Sequence, residues 1–196
     1  MLNKPQGRVV ILSGPSGSGK TTLHKALLES PGLKGKLVKS ISATTRARRE
    51  GERNGKDYIF LTKPMFESRI SKGHFLEWEK VFDNYYGTPK RNVLALLKKG
   101  KHVLLCIDVK GARNIKEEFP TAVSLFIKTP TMKVLQERLR QRASETHENL
   151  QLRLRVAKAE LKEAKRYDHV IINGRLDKAC RDLNAIVCNV LGLSQG

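Results

Sequence analysis

Short apolar runs rich in β-branched residues alternate along the chain with stretches whose apolar positions recur every three or four residues. Residues 8–12 (RVVIL), 102–107 (HVLLCI), 122–127 (AVSLFI) and 169–172 (HVII) have the length and composition of buried strands. Helical spacing follows or separates them at 21–29, 90–99, 110–118, 131–141 and 178–191; in the first of these Leu23, Leu27 and Leu28 share one face. Strands alternating with helices predict βαβ units, and therefore an α/β fold with a parallel sheet.

Two segments break the rhythm. Residues 41–88 hold a strand candidate at 57–61 (DYIFL), a helix candidate at 64–71 and an apolar-rich run at 75–82, which together read as a small α/β insertion after the second strand. Residues 142–149 (RASETHEN) are polar and turn-like. The stripe Leu150, Leu154, Ala157, Leu161, Ala164 makes the next segment a helix, although Leu150, Leu152 and Leu154 alone alternate as a strand would. There is no internal repeat.

Composition narrows the class. The 196 residues are 39% hydrophobic and 29% charged, enough for a packed core. Lys and Arg number 38 against 19 Asp and Glu, and a net charge of +19 attracts polyanions at low salt without naming a function. Cys106, Cys180 and Cys188 form no CxxC pair, and an odd number fits a reducing compartment. The four-residue apolar run in MLNKPQGRVVILSG is too short for a signal-peptide core, and no stretch has the length of a membrane span. The expectation is a cytoplasmic protein with no membrane partner.

The strongest local signal is Gly14-Pro15-Ser16-Gly17-Ser18-Gly19-Lys20-Thr21, a complete GxxxxGK[ST] between a strand and a helix. Such a loop turns backbone N–H groups onto phosphate oxygens at a helix N-terminus, where the dipole favours an anion. Lys20 would neutralise the β and γ oxygens of ATP, and the hydroxyl of Thr21 would ligate Mg²⁺. Asp108, at the end of VLLCID, stands where such folds hold the metal's water shell, although an acid after an apolar strand is a common pattern. No NKxD stretch is present, so a base-specific GTPase reading lacks its motif, and an acceptor site belongs in the insertion.

Six ordered stretches then carry a resemblance: GPSGSGKTTL, SATTRARREGERNGKDYIF, GHFLEWEKVFDNYYGTP, CIDVKGA, RLRQRASET with a later RLR, and VIINGRLDKA. Together they resemble the guanylate kinase family over about residues 7–190. The resemblance implies a P-loop NTPase-type parallel sheet flanked by helices, with a small α/β GMP-binding insertion and a helical lid. On that pattern the core comprises 1–40, 89–137 and 154–196, the GMP-binding domain 41–88, and the lid 138–153. The implied reaction is Mg²⁺-dependent phosphoryl transfer from ATP to GMP, with dGMP a further acceptor.

The resemblance also assigns residues. Gly14 to Thr22, with Asn173, fall at ATP-binding positions. Glu77 matches the glutamate that reads guanine, with Ser42 and Thr88 bonding the base and Asp108 close to it. Arg46, Arg49, Tyr58 and Tyr86 match the clamp on the GMP phosphate, with Glu52 and Asp57 placed to orient the arginines. Arg138, Arg142 and Arg153 match lid arginines, which with Lys20 and Arg46 would stabilise charge in the transition state.

Three positions depart from the family pattern. Cys106 stands where an acid is usual, Lys110 replaces a frequent Gln, and Arg48 a frequent Pro. Two competing classes remain. A peptide-binding scaffold domain of this type typically lacks the intact loop seen here. A nucleic-acid binder would be expected to show a basic motif interleaved with aromatics, and only weak non-specific polyanion binding is expected. The oligomeric state is left open between monomer and homodimer.

Overall fold

The computed structural model describes residues 7–81, 83–141 and 147–194. Five strands build the main sheet: β1 (Val9–Ser13), β2 (Leu37–Lys39), β7 (His102–Cys106), β8 (Val123–Lys128) and β9 (His169–Ile172). Their order is β2-β7-β1-β8-β9 and every pairing is parallel. Helices cover both faces, which is why β1 is buried at every position, and apolar from Val9 to Leu12, instead of alternating. One face packs on α1 (Lys20–Glu29) and α7 (Leu176–Leu191) through Leu23, Leu27, Leu183 and Val187. The other packs on α3 (Lys90–Lys98) and α4 (Val109–Glu118) through Val93, Leu97, Ala112 and Ile115.

Helix α5 (Met132–Gln141) lies against α6 (His147–Lys162) through Leu135, Leu139, Leu150, Leu154 and Ala157. The helical reading of 150–164 is thus correct up to Lys162, after which a 3₁₀ turn takes Glu163–Arg166. Leu152, off that stripe, is exposed.

The segment that broke the alternation forms a second sheet. It contains β3 (Ala43–Thr44), β4 (Ile59–Phe60), β5 (Phe75–Val81) and β6 (Asn84–Pro89) in the order β4-β3-β6-β5, with α2 (Lys63–Ser71) beside it. Phe66 of α2 stacks on Phe75 and Tyr85, with ring centroids 4.4 and 5.3 Å apart. The strand expected at 57–61 is only two residues long. Asp57 Oδ2 accepts from the Arg53 backbone N–H at 2.8 Å, and Gly55 N donates to Tyr58 O at 2.8 Å. Those bonds hold Asp57 in a turn and Tyr58 in an isolated bridge to Asn54. Asp57 is thereby spent on backbone, not on orienting an arginine side chain.

Candidate functional site: a cleft between the two sheets

The cleft opens at the carboxyl ends of β1 and β7, where open α/β sheets place their ligands. It encloses about 320 Å³ and is lined from both sheets. Gly14–Gly17, Gly19, Lys20 and Thr21 form one wall; Ser42, Tyr58, Glu77 and Tyr86 form the other; Cys106 and Asp108 lie between.

The chain leaves β1 at Gly14, whose φ is 140°, and a Cβ there would lie 2.1 Å from Ile127 O on β8. Gly19 ends the loop in the left-handed region at φ 95°. A Cβ on it would meet Asn173 Nδ2 at 2.2 Å. Only glycine fits either position. Lys20 Nζ donates to Gly14 O and to Pro15 O (3.0 Å), so the ammonium lies across the mouth of its own loop. Thr21 is exposed to the cleft, Thr22 is exposed on the first turn of α1, and Ser18 is buried beneath the loop.

Asn173 sits behind this loop. Its Nδ2 donates to Ser18 O at 2.8 Å, and its own carbonyl accepts from the Arg138 guanidinium at 3.0 Å. The side chain is 4% exposed. In this structure Asn173 therefore supports the phosphate loop, and through it Arg138 is anchored beside that loop. Arg153 is half-buried on α6. Arg142 lies outside the described residues.

On the opposite wall, Arg46 makes a two-pronged contact with Glu52: Nη2 stands 2.7 Å from Oε1 and 2.9 Å from Oε2. Glu52 Oε2 also accepts from the Arg49 backbone N–H at 2.9 Å, so one carboxylate organises the turn that carries both arginines. The Arg46 hydrogen bond keeps the Glu52 carboxyl below the usual carboxylate range. The guanidinium stands 5.5 Å from the centre of the Tyr58 ring, and Tyr58 meets Tyr86 edge-on at 6.2 Å. Burial raises the pKa of Tyr58, so its hydroxyl stays a donor. The Arg49 side chain is exposed.

Glu77 lies on an edge strand, yet it is 7% exposed. It pairs with Thr88 across β5 and β6, and Thr88 Oγ1 donates to Glu77 Oε1. Burial pushes its carboxyl up to about 7; the Thr88 bond opposes this, and the charges of Asp108 and Glu79 add to it. Asp108 Oδ1 caps α4, accepting from Lys110 N at 3.0 Å and Gly111 N at 2.8 Å. The capping role was not evident beforehand: an acid at a strand end and an N-cap look alike in sequence. Cys106 is half-buried on the cleft floor, and burial lifts its thiol to about 11, so it stays neutral.

Glu160 also lines the cleft and was not foreseen. Burial raises its carboxyl to about 7, opposed by Lys20 and assisted by Asp108. Its one sequence signal is a position seven residues after Arg153, two turns along the same helix face.

A parallel sheet with a GxxxxGK[ST] loop after its central strand, facing a second wall of buried acid and paired arginine, is the arrangement of a phosphoryl-transfer enzyme of the P-loop class. Comparison with known proteins narrows the class. A guanylate kinase family model matches residues 6–189. A guanylate kinase of Rickettsia bellii is 45% identical over 95% of this chain and 96% of its own length. One from Caldanaerobacter subterraneus is 44% identical over 95% and 89%. The crystal structure of guanylate kinase from Anaplasma phagocytophilum superposes with a TM-score of 0.78 at 34% identity, covering 97% of this chain and 89% of that one. The chain belongs to the guanylate kinase family.

Proposed function

We propose that the protein catalyses ATP + GMP ⇌ ADP + GDP with Mg²⁺, that dGMP is a second acceptor, and that this serves purine nucleotide metabolism and GMP recycling. The observation that carries the acceptor assignment is the buried Glu77 carboxylate facing the same cleft as the phosphate loop. Guanine presents N1–H and an N2 amino group side by side, and one carboxylate accepts both. Adenine has no N1–H and no such amino group, so it would leave a buried charge unpaired. That loss costs roughly 1.5–3 kcal/mol per charged hydrogen bond.

In the reaction an oxygen of the GMP phosphate attacks the γ-phosphorus of ATP. The new P–O bond forms as the bond to the bridging β oxygen breaks, and ADP leaves. The attacking oxygen is already anionic, so no general base is required. The chain's task is alignment and charge stabilisation. Lys20 neutralises oxygens on the ATP side, and Arg46, held by Glu52, takes the GMP phosphate with Arg49, Tyr58 and Tyr86. Arg138, Arg142 and Arg153 close over the transferring group.

The Thr21 hydroxyl and the Asp108 oxygen not used in capping are hard donors on one cleft. A small set of protein oxygens, completed by phosphates and water, is what Mg²⁺ prefers. When bound, Mg²⁺ would neutralise charge on the β and γ oxygens. Among the described residues no helix is long and apolar enough to cross a membrane.

The test is a coupled assay of ADP release with GMP and dGMP, run with and without EDTA. Turnover on both acceptors that stops with EDTA and returns with excess Mg²⁺ is expected. Turnover that survives chelation, or none with either acceptor, would contradict the proposal.

A pH dependence follows. Guanine donors favour the ionised Glu77, whereas the free enzyme holds a proton there below about pH 7. GMP binding should therefore release a proton at pH 6, and KM for GMP should fall as pH rises from 6 to 8. The GMP phosphate loses its second proton near ~6 and acts in the same direction. Subtracting the profile of the Glu77→Gln variant isolates the carboxylate; superimposable profiles would contradict its role. Stability runs the other way. The raised carboxyl contributes stability that is full below about 4.5 and lost as pH rises through about 7.

A further inference from the structure

Glu77 has two carboxylate oxygens, and the structure positions them from opposite sides. Oε1 is held by Thr88 Oγ1, from the neighbouring strand of the same small sheet. Oε2 lies over the first turn of α4, at Gly111. A Cβ placed on Gly111 would come within 2.6 Å of Oε2, 3.0 Å of Cδ and 3.4 Å of Cγ. All three of its nearest atoms belong to Glu77.

The approach is a built feature of the fold. Asp108 caps α4 through the N–H groups of Lys110 and Gly111, which fixes where the first turn begins. Lys110 Nζ then stands 3.7 Å from Glu79 Oε2, so this turn is laid alongside β5. Gly111 is itself buried, within a helix where its missing side chain gives no conformational benefit. Alanine would be the better helix former there by about 1 kcal/mol. The glycine therefore serves space, and the space is filled by the Glu77 carboxylate.

We propose that Gly111 is a specificity-determining position: its lack of a side chain leaves the slot in which the Glu77 carboxylate stands to read guanine. Gly111 has no side chain to offer a substrate and would act through Glu77, so it is a positioning residue. The proposal rests on the assignment of Glu77 as the guanine reader. The slot is shared: the reader comes from the small sheet and the slot from α4, which packs on the main sheet, so reading the base depends on how the two are juxtaposed.

Gly111→Ala tests this. The added methyl meets the carboxyl end of one side chain and no backbone, so the fold should survive with at most a modest fall in melting temperature. Displacing Glu77 should raise KM for GMP roughly 10- to 150-fold, as the loss of one charged hydrogen bond would. KM for ATP should stay within about twofold, and the preference for GMP over AMP should shrink. In a Glu77→Ala background the atoms that the methyl meets are gone, and Gly111→Ala should then add less than about threefold in kcat/KM for GMP, as expected when two residues act as one unit.

A Glu77→Ala variant impaired toward GMP, with Gly111→Ala behaving like wild type, would overturn the Gly111 inference alone. Fully multiplicative effects in the double variant would also overturn it. If Glu77→Ala itself left kcat/KM for GMP unchanged, the guanine-reading assignment would fall, and this inference with it.

Discussion

Replacing Lys20 with alanine is expected to lower kcat by roughly 10²–10³-fold, the loss usual when one preorganised charge-stabilising group is removed from a transition state. The reason lies in where the ammonium is held. Lys20 opens α1 directly after Gly19, and its Nζ already lies at the loop mouth on the carbonyls of Gly14 and Pro15. Those carbonyls fix the ammonium's position. An incoming phosphate meets a positioned cation, so little reorganisation remains for the reaction itself. Alanine keeps the loop's backbone donors, and ATP should still bind, although more weakly. KM for GMP should change little, because the acceptor wall is built from other strands. Steady-state rates with both substrates varied, beside a melting curve, check this. A fall in kcat of less than about tenfold in a folded variant would contradict the role.

Glu77→Gln should raise KM for GMP roughly 10- to 150-fold, the equivalent of one charged hydrogen bond of 1.5–3 kcal/mol. The amide keeps the shape and can still accept from one guanine donor. It presents an NH₂ to the second, however, and Thr88 Oγ1 already donates to the same group. The variant should be at least as stable as wild type above about pH 7, since the wild-type carboxyl is buried and its ionisation is penalised there. Stability gained while GMP affinity is lost is the signature of a group kept for function. Unchanged KM for GMP would show that Glu77 does not read the base.

Much of the fold was legible because its signals are local. The strand–loop–helix at 9–29 announces itself in contiguous residues, since the glycines, the lysine and the threonine all act within one turn of chain. The central strands β1, β7 and β8 are buried on both faces and so read as apolar runs, whereas the edge strand β2 is three residues long and gives no such run. The small sheet was harder. Ala43–Thr44 and Ile59–Phe60 are two residues long, and neither has a periodicity of its own. They are strands because β6 supplies a partner for β3, and β3 in turn one for β4.

The site divides in the same way. Arg46 and Glu52 are six apart in one turn, and their pairing could be anticipated from sequence. The burial of Glu77 could not be, because FLEWEKV reads as a strand with charge on both faces; what covers the carboxyl includes α4, from a distant part of the chain. Glu160 escaped for a related reason. On a helix wheel it is one more polar position, and only the docking of α6 on α5 turns it into the cleft. Asn173 had a functional assignment by resemblance, and the structure gives its side chain a mechanical task behind the loop.

The stretch 46–56 shows why net charge alone says little. Arg46, Arg48, Arg49, Arg53 and Lys56 would pass for a polyanion patch. Only Arg46 is both half-buried and bound on two oxygens by an acid, and that acid also fixes the turn bearing Arg49. A disordered basic patch would have no need of such a partner.

We propose that this cleft transfers phosphate to a guanine nucleotide chosen by one buried carboxylate, Glu77. The most direct test is the ratio of kcat/KM for GMP to that for AMP, measured by ADP release at saturating ATP and Mg²⁺. A ratio above about 10³ is expected in the wild-type protein, falling at least about tenfold in Glu77→Gln. Comparable turnover of AMP and GMP by the wild-type protein would contradict it.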